Sequence, residues 1–474
     1  MREISAEQLQ ARIRAENPWW EGKGVPGVEG LNPRAYFDLF IPLVTELRVR
    51  RAVVLMGPRR VGKTVLIHQA IRYLLDSGIA PARLAYISVD HPLYTGRSLE
   101  ELVELYRRST DQGSDEVSYI FFDEVQYLRD WEVHLKTLVD EEPGLRFIVS
   151  GSAAAALSLK SRESGAGRFT DFLLPPLTFY EYLGLLGESD LLDETEVEGR
   201  PWFAARDLGA LNDHFLQYLN FGGYPEVVFS EVIRSDPSRF IKADIIDKVL
   251  LRDLPSLYGI SDVQELNNLF TMLAFNTAGE LSLQDLSMNS GVAKNTIRRY
   301  IEYLEAAFLI RVVHRVDESA RTFQRARSFK VYLTNPSMRA ALFSPAGEDS
   351  PDLGALAETA VFAQYFHDES ANLYYSRWKK GEVDIVRLNP AQKPAWAVEV
   401  KWSDRFVKRP GELDALVTFC RRNGLARGWV TSRTTRATLV RDGVTLGFVP
   451  TAEFCYVVGH NIIHGKGRAA GGTP

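Results

Sequence analysis

The sequence predicts an α/β fold whose first part is a parallel sheet covered by helices on both faces. Three observations predict it. Between residues 50 and 152 short apolar runs alternate with helical patterns, the rhythm of a parallel sheet. Gly57-Pro58-Arg59-Arg60-Val61-Gly62-Lys63-Thr64 fits GxxxxGK[ST] and sits between a strand and a helix. Further on, Tyr119-Ile-Phe-Phe-Asp123-Glu124 is an apolar strand that ends in two carboxylates.

The elements follow in order. Ala52–Met56 is a buried strand, and Val65, Leu66, Ala70, Ile71, Leu74 and Leu75 recur at helical spacing until Ser77-Gly78 stops the helix. Then come a strand at Arg83–Val89, a helix at Ser98–Arg108, a strand at Ser118–Phe122, a helix carrying Trp131, Leu135 and Leu138, and a strand at Arg146–Val149. In such sheets the ligand lies at the carboxyl ends of the strands.

The residue types explain the ligand. A polyphosphate needs backbone N–H groups and a helix N-terminus facing it, which Gly57 through Gly62 supply. Lys63 then reaches the β- and γ-phosphates, Thr64 and Asp123 hold Mg²⁺, and Glu124 polarises the attacking water. The expected ligands are ATP and Mg²⁺, with residues 57–64 as the binding loop. The last strand runs into Ser150-Gly-Ser152, where Ser152 is either a polar group beside the γ-phosphate or part of a plain turn.

The chain beyond 200 turns helical, with apolar periodicity through Phe215, Leu219, Ile241, Ile245 and Leu250. Leu281 to Leu304 reads as helix, turn at Gly291, helix. The second helix turns Val292, Ile297, Tyr300, Ile301 and Leu304 inward and leaves Lys294, Asn295, Arg298 and Arg299 outside, as side chains that contact phosphates and bases. Leu309–His314 and Lys330–Leu333 read as two strands of a wing, joined by a segment that holds Arg321, Arg325 and Arg327. Such a basic helix and wing suit duplex DNA; the bland reading is a subunit contact with solvated charges.

Near the C-terminus Glu358 lies on a helix, Asp384 on one strand, and Glu399 and Lys401 share one face of another. This is the arrangement of a PD-(D/E)XK nuclease, with Asp384 and Glu399 on Mg²⁺, Lys401 orienting water and Glu358 assisting. Alternating charge on an exposed strand gives the same pattern, so DNA binding without cleavage is the competing expectation.

Composition bounds the rest. The 474 residues, 45% hydrophobic and 25% charged, suggest several globular domains. A net charge of −5 argues against a protein that coats nucleic acid along its whole surface. Cys420 and Cys455 are too few for a disulfide framework or a zinc site, and no apolar stretch is long enough to span a bilayer. The expectation is a cytoplasmic protein with no membrane partner. The eight histidines are scattered without metal spacing, and Trp19-Trp20 is expected to dock an N-terminal arm on the first sheet.

The runs GPRRVGKT, IFFDEVQ, VSGSA, Gly167-Arg168, LLPPLTFYEYL and FGGYPE together resemble the prokaryotic AAA+-type ATPases that carry an uncharacterised C-terminal domain. The resemblance implies an AAA+-like P-loop domain followed by winged-helix and PD-(D/E)XK nuclease-like parts. It implies that Arg168 completes the active site of a neighbouring subunit, hence a homo-oligomer such as a ring. Asn335 stands where that family often has aspartate. The organisation expected is an arm (1–45), an ATPase domain (46–200), a helical and winged-helix domain (201–345), a nuclease-like domain (346–464) and a tail (465–474). The functional expectation is an ATPase that remodels or translocates duplex or branched DNA. The alternatives are an ATP-gated nuclease and a nucleotide-controlled switch.

Overall fold

A computed structural model describes residues 5–110, 117–152, 167–197, 200–321, 328–366 and 372–465. Arg325, Arg327 and the chain from 466 onward lie outside the described residues. The chain forms two compact units, Met1–Leu174 and Pro175–Pro474.

The first unit is built on β1 (Ala52–Met56), β2 (Leu84–Ser88), β3 (Ser118–Asp123), β4 (Leu145–Gly151) and β5 (Phe169–Leu173). They lie in the order β2-β3-β4-β1-β5, and every neighbouring pair is parallel. The two central apolar strands, β1 and β3, are buried along their whole length, as helices on both faces require. The helix Lys63–Asp76 follows β1 and buries Leu66, Ile67, Ala70, Ile71 and Leu74. On the edge strand β2, side chains take the place of a sixth strand. The Asn17 amide exchanges two hydrogen bonds with the Tyr86 backbone (2.6 and 2.8 Å), and the indole N–H groups of Trp19 and Trp20 both donate to Leu84 O. The N-terminal arm thus seals an edge that would otherwise offer itself to another chain.

Residues 175–200, assigned above to the ATPase domain, pack in the second unit. The helix Phe179–Leu186 starts with a capping box between Thr178 and Glu181, and Phe179 and Tyr182 enter a cluster with Phe215 and Tyr218. A hairpin not foreseen from the sequence, β6 (Leu192–Val197) and β7 (Arg200–Ala205), brings Trp202 to stack on Trp429 at 6.0 Å between ring centres.

The second unit holds a nine-stranded sheet of β8 (Glu280–Ser282), β9 (Ile310–Val316), β10 (Ser328–Leu333), β11 (Leu373–Trp378), β12 (Gly381–Leu388), β13 (Pro394–Glu399), β14 (Arg427–Ser432), β15 (Ala437–Arg441) and β16 (Val444–Pro450). Their order is β15-β16-β14-β13-β12-β11-β9-β10-β8. Alternation decides the two faces: Ile385 and Val398 enter one apolar cluster, Val386 and Ala397 the other. The strands read above as a wing, β9 and β10, pair antiparallel and do not stand apart. The second edge of β9 pairs in parallel with β11 through Arg315 with Tyr375 and Val316 with Ser376, so one sheet runs through both regions. Asn335, buried after β10, accepts from the Ser337 N–H at 2.9 Å and caps a local turn.

Candidate functional site

In the first unit β1 runs directly into the phosphate-loop residues 57–62. A side chain at Gly57 is impossible, because its Cβ would lie 2.0 Å from Leu174 O, and Leu174 is held there by donating to Met56 O at 2.8 Å. Lys63 is 5% exposed, and its Nζ donates to the loop carbonyls of Gly57 (3.0 Å) and Pro58 (2.8 Å). Arg34 donates to Val61 O from the opposite side. These contacts hold the loop from both sides.

Asp123 ends β3 beside this loop and is 2% exposed. Its Oδ2 accepts from Thr64 Oγ1 (2.7 Å) and from the Tyr86 hydroxyl (2.8 Å), and its Oδ1 accepts from Ser150 Oγ. Burial, then the Asp123 charge, pushes the Tyr86 hydroxyl well above its ordinary range, so it remains a donor. His68, packed against Tyr86 at 4.7 Å, is pushed below its ordinary value by burial despite the pull of Asp123. Three neutral hydroxyls therefore surround one buried carboxylate. The pairing of Thr64 Oγ1 with Asp123 Oδ2 is what two adjacent hard-oxygen ligands do between themselves, so the residues present fit Mg²⁺.

Glu124 sits in left-handed backbone geometry (φ 59°, ψ 44°), which residues other than glycine adopt uncommonly. Its N–H donates to Ser150 Oγ at 3.2 Å, and its carboxylate accepts from Gln126 Nε2. Gln126 Oε1 in turn accepts from the Ser152 N–H at 3.1 Å. Of the two serines at the end of β4, Ser150, inside the strand, touches both carboxylate residues. Ser152 is 2% exposed, and its hydroxyl has no hydrogen-bond partner among the described residues. Arg59 lies at the loop's outer side, 3.4 Å from the Tyr127 hydroxyl, and Arg60 adopts φ 64°.

Arg168 does not join this site in its own chain. It precedes β5, its carbonyl accepts from Ala52 N–H, and its Nε donates to Asp140 Oδ1 at 3.1 Å. Since Ala52 pairs with Phe169 and Met56 with Leu173, Arg168 lies at the far end of the sheet, about 20 Å along the strands from the phosphate loop.

In the second unit Glu358, Asp384, Glu399 and Lys401 come together. Glu358 lies on the helix Leu353–Tyr365, Asp384 on β12 and Glu399 at the end of β13. Lys401 Nζ stands 2.7 Å from Glu399 Oε1 and 3.2 Å from Asp384 Oδ2, which also accepts from the Val400 N–H. A residue missed in the sequence stands in their midst. Lys330 of β10, with 3% side-chain exposure, has Nζ at 2.9 Å from Glu358, 2.7 Å from Glu382 and 3.6 Å from Asp384. The Tyr332 hydroxyl donates to Glu358 at 2.6 Å. The available signal was a lysine inside the apolar run Ser328-Phe-Lys-Val-Tyr-Leu333, two residues from a tyrosine on the same face.

Charge is unevenly shared there. Burial raises Glu358 to about 7 against the pull of Lys330, and burial with the nearby Asp384 raises Glu399 to about 8. Burial also opposes the charge on Asp384, but Lys401 and Lys330 outweigh it and hold its carboxyl below the usual range. A divalent ion approaching Asp384 would meet one ammonium group on Oδ2 (Lys401, 3.2 Å) and another near Oδ1 (Lys330, 3.6 Å). As arranged, the cluster does not fit a metal, and among the described residues no three His, Cys, Asp or Glu side chains gather to hold one.

Lys294, Asn295, Arg298 and Arg299 all lie exposed on the helix Lys294–Ala306, which buries Ile297, Tyr300, Ile301 and Leu304 beneath them. No described helix is long and apolar enough to cross a membrane.

Sheet order, phosphate loop and acidic strand end together define a P-loop domain of AAA type, a nucleotide-binding fold. Residues 49–183 match the family described as an AAA domain, and residues 212–350 match a domain of unknown function (DUF8612). The chain is 25% identical over 344 residues to the uncharacterized protein MJ1544 of Methanocaldococcus jannaschii, covering 70% of this chain and 71% of that protein. It is 25% identical over 360 residues to the uncharacterized protein MJ1637 of the same organism, covering 72% and 73%. An uncharacterized protein of Haemophilus influenzae is 23% identical over 295 residues, covering 60% and 68%.

Proposed function

We propose that this protein is an ATPase that hydrolyses ATP with Mg²⁺ and uses the cycle to remodel or translocate duplex or branched DNA held by its second unit. The observation that carries the reading is the buried Asp123 carboxylate 2.7 Å from Thr64 Oγ1, with Glu124 next in sequence beside the phosphate loop. Bound ATP would draw Lys63 Nζ from the Gly57 and Pro58 carbonyls to its terminal phosphates. Thr64 and Asp123 would hold Mg²⁺, which supplies charge neutralisation on the phosphates. Glu124 is the residue to orient the attacking water and receive its proton. The Ser152 hydroxyl, with no hydrogen-bond partner among the described residues, is available to a phosphate oxygen. Since Arg168 lies far from its own chain's loop, any role in hydrolysis belongs to a neighbouring copy, which makes a homo-oligomer part of this reading.

DNA contact is supported by the exposed Lys294, Asn295, Arg298 and Arg299 on the second helix of a helix-turn-helix-like pair followed by the β9–β10 hairpin, a winged-helix likeness. The meeting of Glu358, Asp384, Glu399 and Lys401 supports a PD-(D/E)XK-like part. Lys330 inside that cluster favours binding over metal-dependent cleavage.

The test is the Mg²⁺-dependent ATPase rate with no DNA, single strand, linear duplex and a four-way junction, with Glu124→Gln as the blank. Stimulation by one DNA form is the expected result. A rate indifferent to every DNA would remove the motor and leave a nucleotide-controlled switch. Cleavage of DNA in Mg²⁺ or Mn²⁺ that Asp384→Ala abolishes would restore the nuclease.

A further inference from the structure

The second unit carries a cleft of about 670 Å³, lined by Arg315, Arg377, Trp378, Lys379, Lys380 and Arg422 among others, with Arg377 paired to Glu280 (3.0 Å) and Glu382 (3.3 Å). Three acids also line it, and each already has its own partner. Asp317 accepts from the backbone N–H groups of Ser319 (2.8 Å) and Arg321 (3.0 Å). Glu318 pairs with Arg422, and Asp414 pairs with Arg441 at 2.6 Å. Lys379 and Lys380 form the two-residue turn between β11 and β12, both exposed, and neither has a carboxylate partner among the described residues. The cleft therefore keeps uncompensated positive charge at its rim.

Its wall is fixed. At Gly381 a Cβ would meet Trp378 Cζ2 at 2.6 Å and Ala415 Cβ at 2.8 Å, so the half-buried indole is seated over the glycine against the helix Asp414–Arg422. Flat apolar surface next to free ammonium groups suits a base beside its phosphates. Size decides between forms of nucleic acid. The volume is that of an ordinary small-ligand pocket, about 300–1,000 Å³, whereas a duplex has a major groove that is itself about 12 Å wide.

We propose that this cleft receives an unpaired nucleic-acid strand, its phosphates on Lys379 and Lys380 and a base against Trp378. The inference deepens the reading of the second unit as a DNA-binding body and rests on it. It adds a site for the single strand that a remodelled duplex or branch exposes.

The experiment measures binding of a labelled oligothymidylate and a labelled duplex to the full-length protein by anisotropy across a salt series. The variants are Lys379→Gln with Lys380→Gln, and Lys294→Gln with Arg298→Gln. Both lysines of the first pair lie on an exposed turn, so the fold should not suffer. Expected for that pair is about a tenfold weaker single strand, a salt slope lower by about 1.4, and unchanged duplex binding. Equal losses for both DNA forms or no loss for the single strand would each overturn the cleft. If the duplex binds and responds to Lys294 and Arg298 while no single strand binds, the cleft falls alone. If neither form binds, the DNA reading falls with it.

Discussion

Asp123 and Asp384 both lie on strands of a sheet and both are buried with a polar group near each oxygen, but their partners differ in kind. Asp123 is met by the hydroxyls of Thr64, Tyr86 and Ser150, which hold its shape without cancelling its charge. Asp384 is met by the ammonium groups of Lys401 and Lys330, which cancel it. Neutral neighbours leave the charge of an acidic group available to an incoming cation. Where lysines fill the space, the same residue type makes an internal ion network.

The comparison breaks first at the P-loop. Glu124→Gln should lower ATP hydrolysis by about 10²–10⁴-fold while retaining ATP binding, measured as turnover against fluorescent-nucleotide affinity. A variant that keeps its turnover would mean that Glu124 is not the water-orienting group. Lys330→Met should next destabilise the protein by about 3–5 kcal/mol, read from the urea midpoint of the second unit, because it leaves Glu358, Glu382 and Asp384 facing one another. It should also sharpen the contrast: Mn²⁺ should raise the melting temperature of this variant and leave that of the parent unchanged.

A smaller effect is expected from pH. Glu399 and Glu358 stand at about 8 and about 7 in the fold, above their ordinary 4.5. Between those values the folded chain keeps protons that the unfolded chain has released, so their contribution to stability is full below the ordinary value and is lost as pH rises toward 8. Glu399→Gln should flatten the decline from pH 5 to 8 by on the order of 1–3 kcal/mol; a decline as steep as the parent's would place the titration elsewhere. The smallest change belongs to Arg168→Ala. Its pair with Asp140 is nearly half exposed on both sides, so stability should shift by at most about 1 kcal/mol. If the arginine serves a neighbouring copy, hydrolysis should fall while ATP binding persists.

The first site was legible because its chemistry is local. A loop, the helix that follows and one strand end carry nearly all of it, and spacing along the chain reports them. Tyr86 and Ser150 were less visible, since they reach Asp123 from neighbouring strands through parallel register. In the second unit Asp384, Glu399 and Lys401 were legible from alternation, but Lys330 comes from a strand more than 50 positions earlier, and only the folded sheet brings it in. The joining of β9 to β11 was hidden for the same reason. Two residue pairs make it, too few to leave a pattern in either strand.

That short junction has a mechanical consequence. β9 and β11 lie between β10 and β12 in the sheet, and Lys330 reaches across both of them. The lysine acts as a strut beside the short junction: to part β10 from β12, a buried ammonium would have to be pulled from three carboxylates.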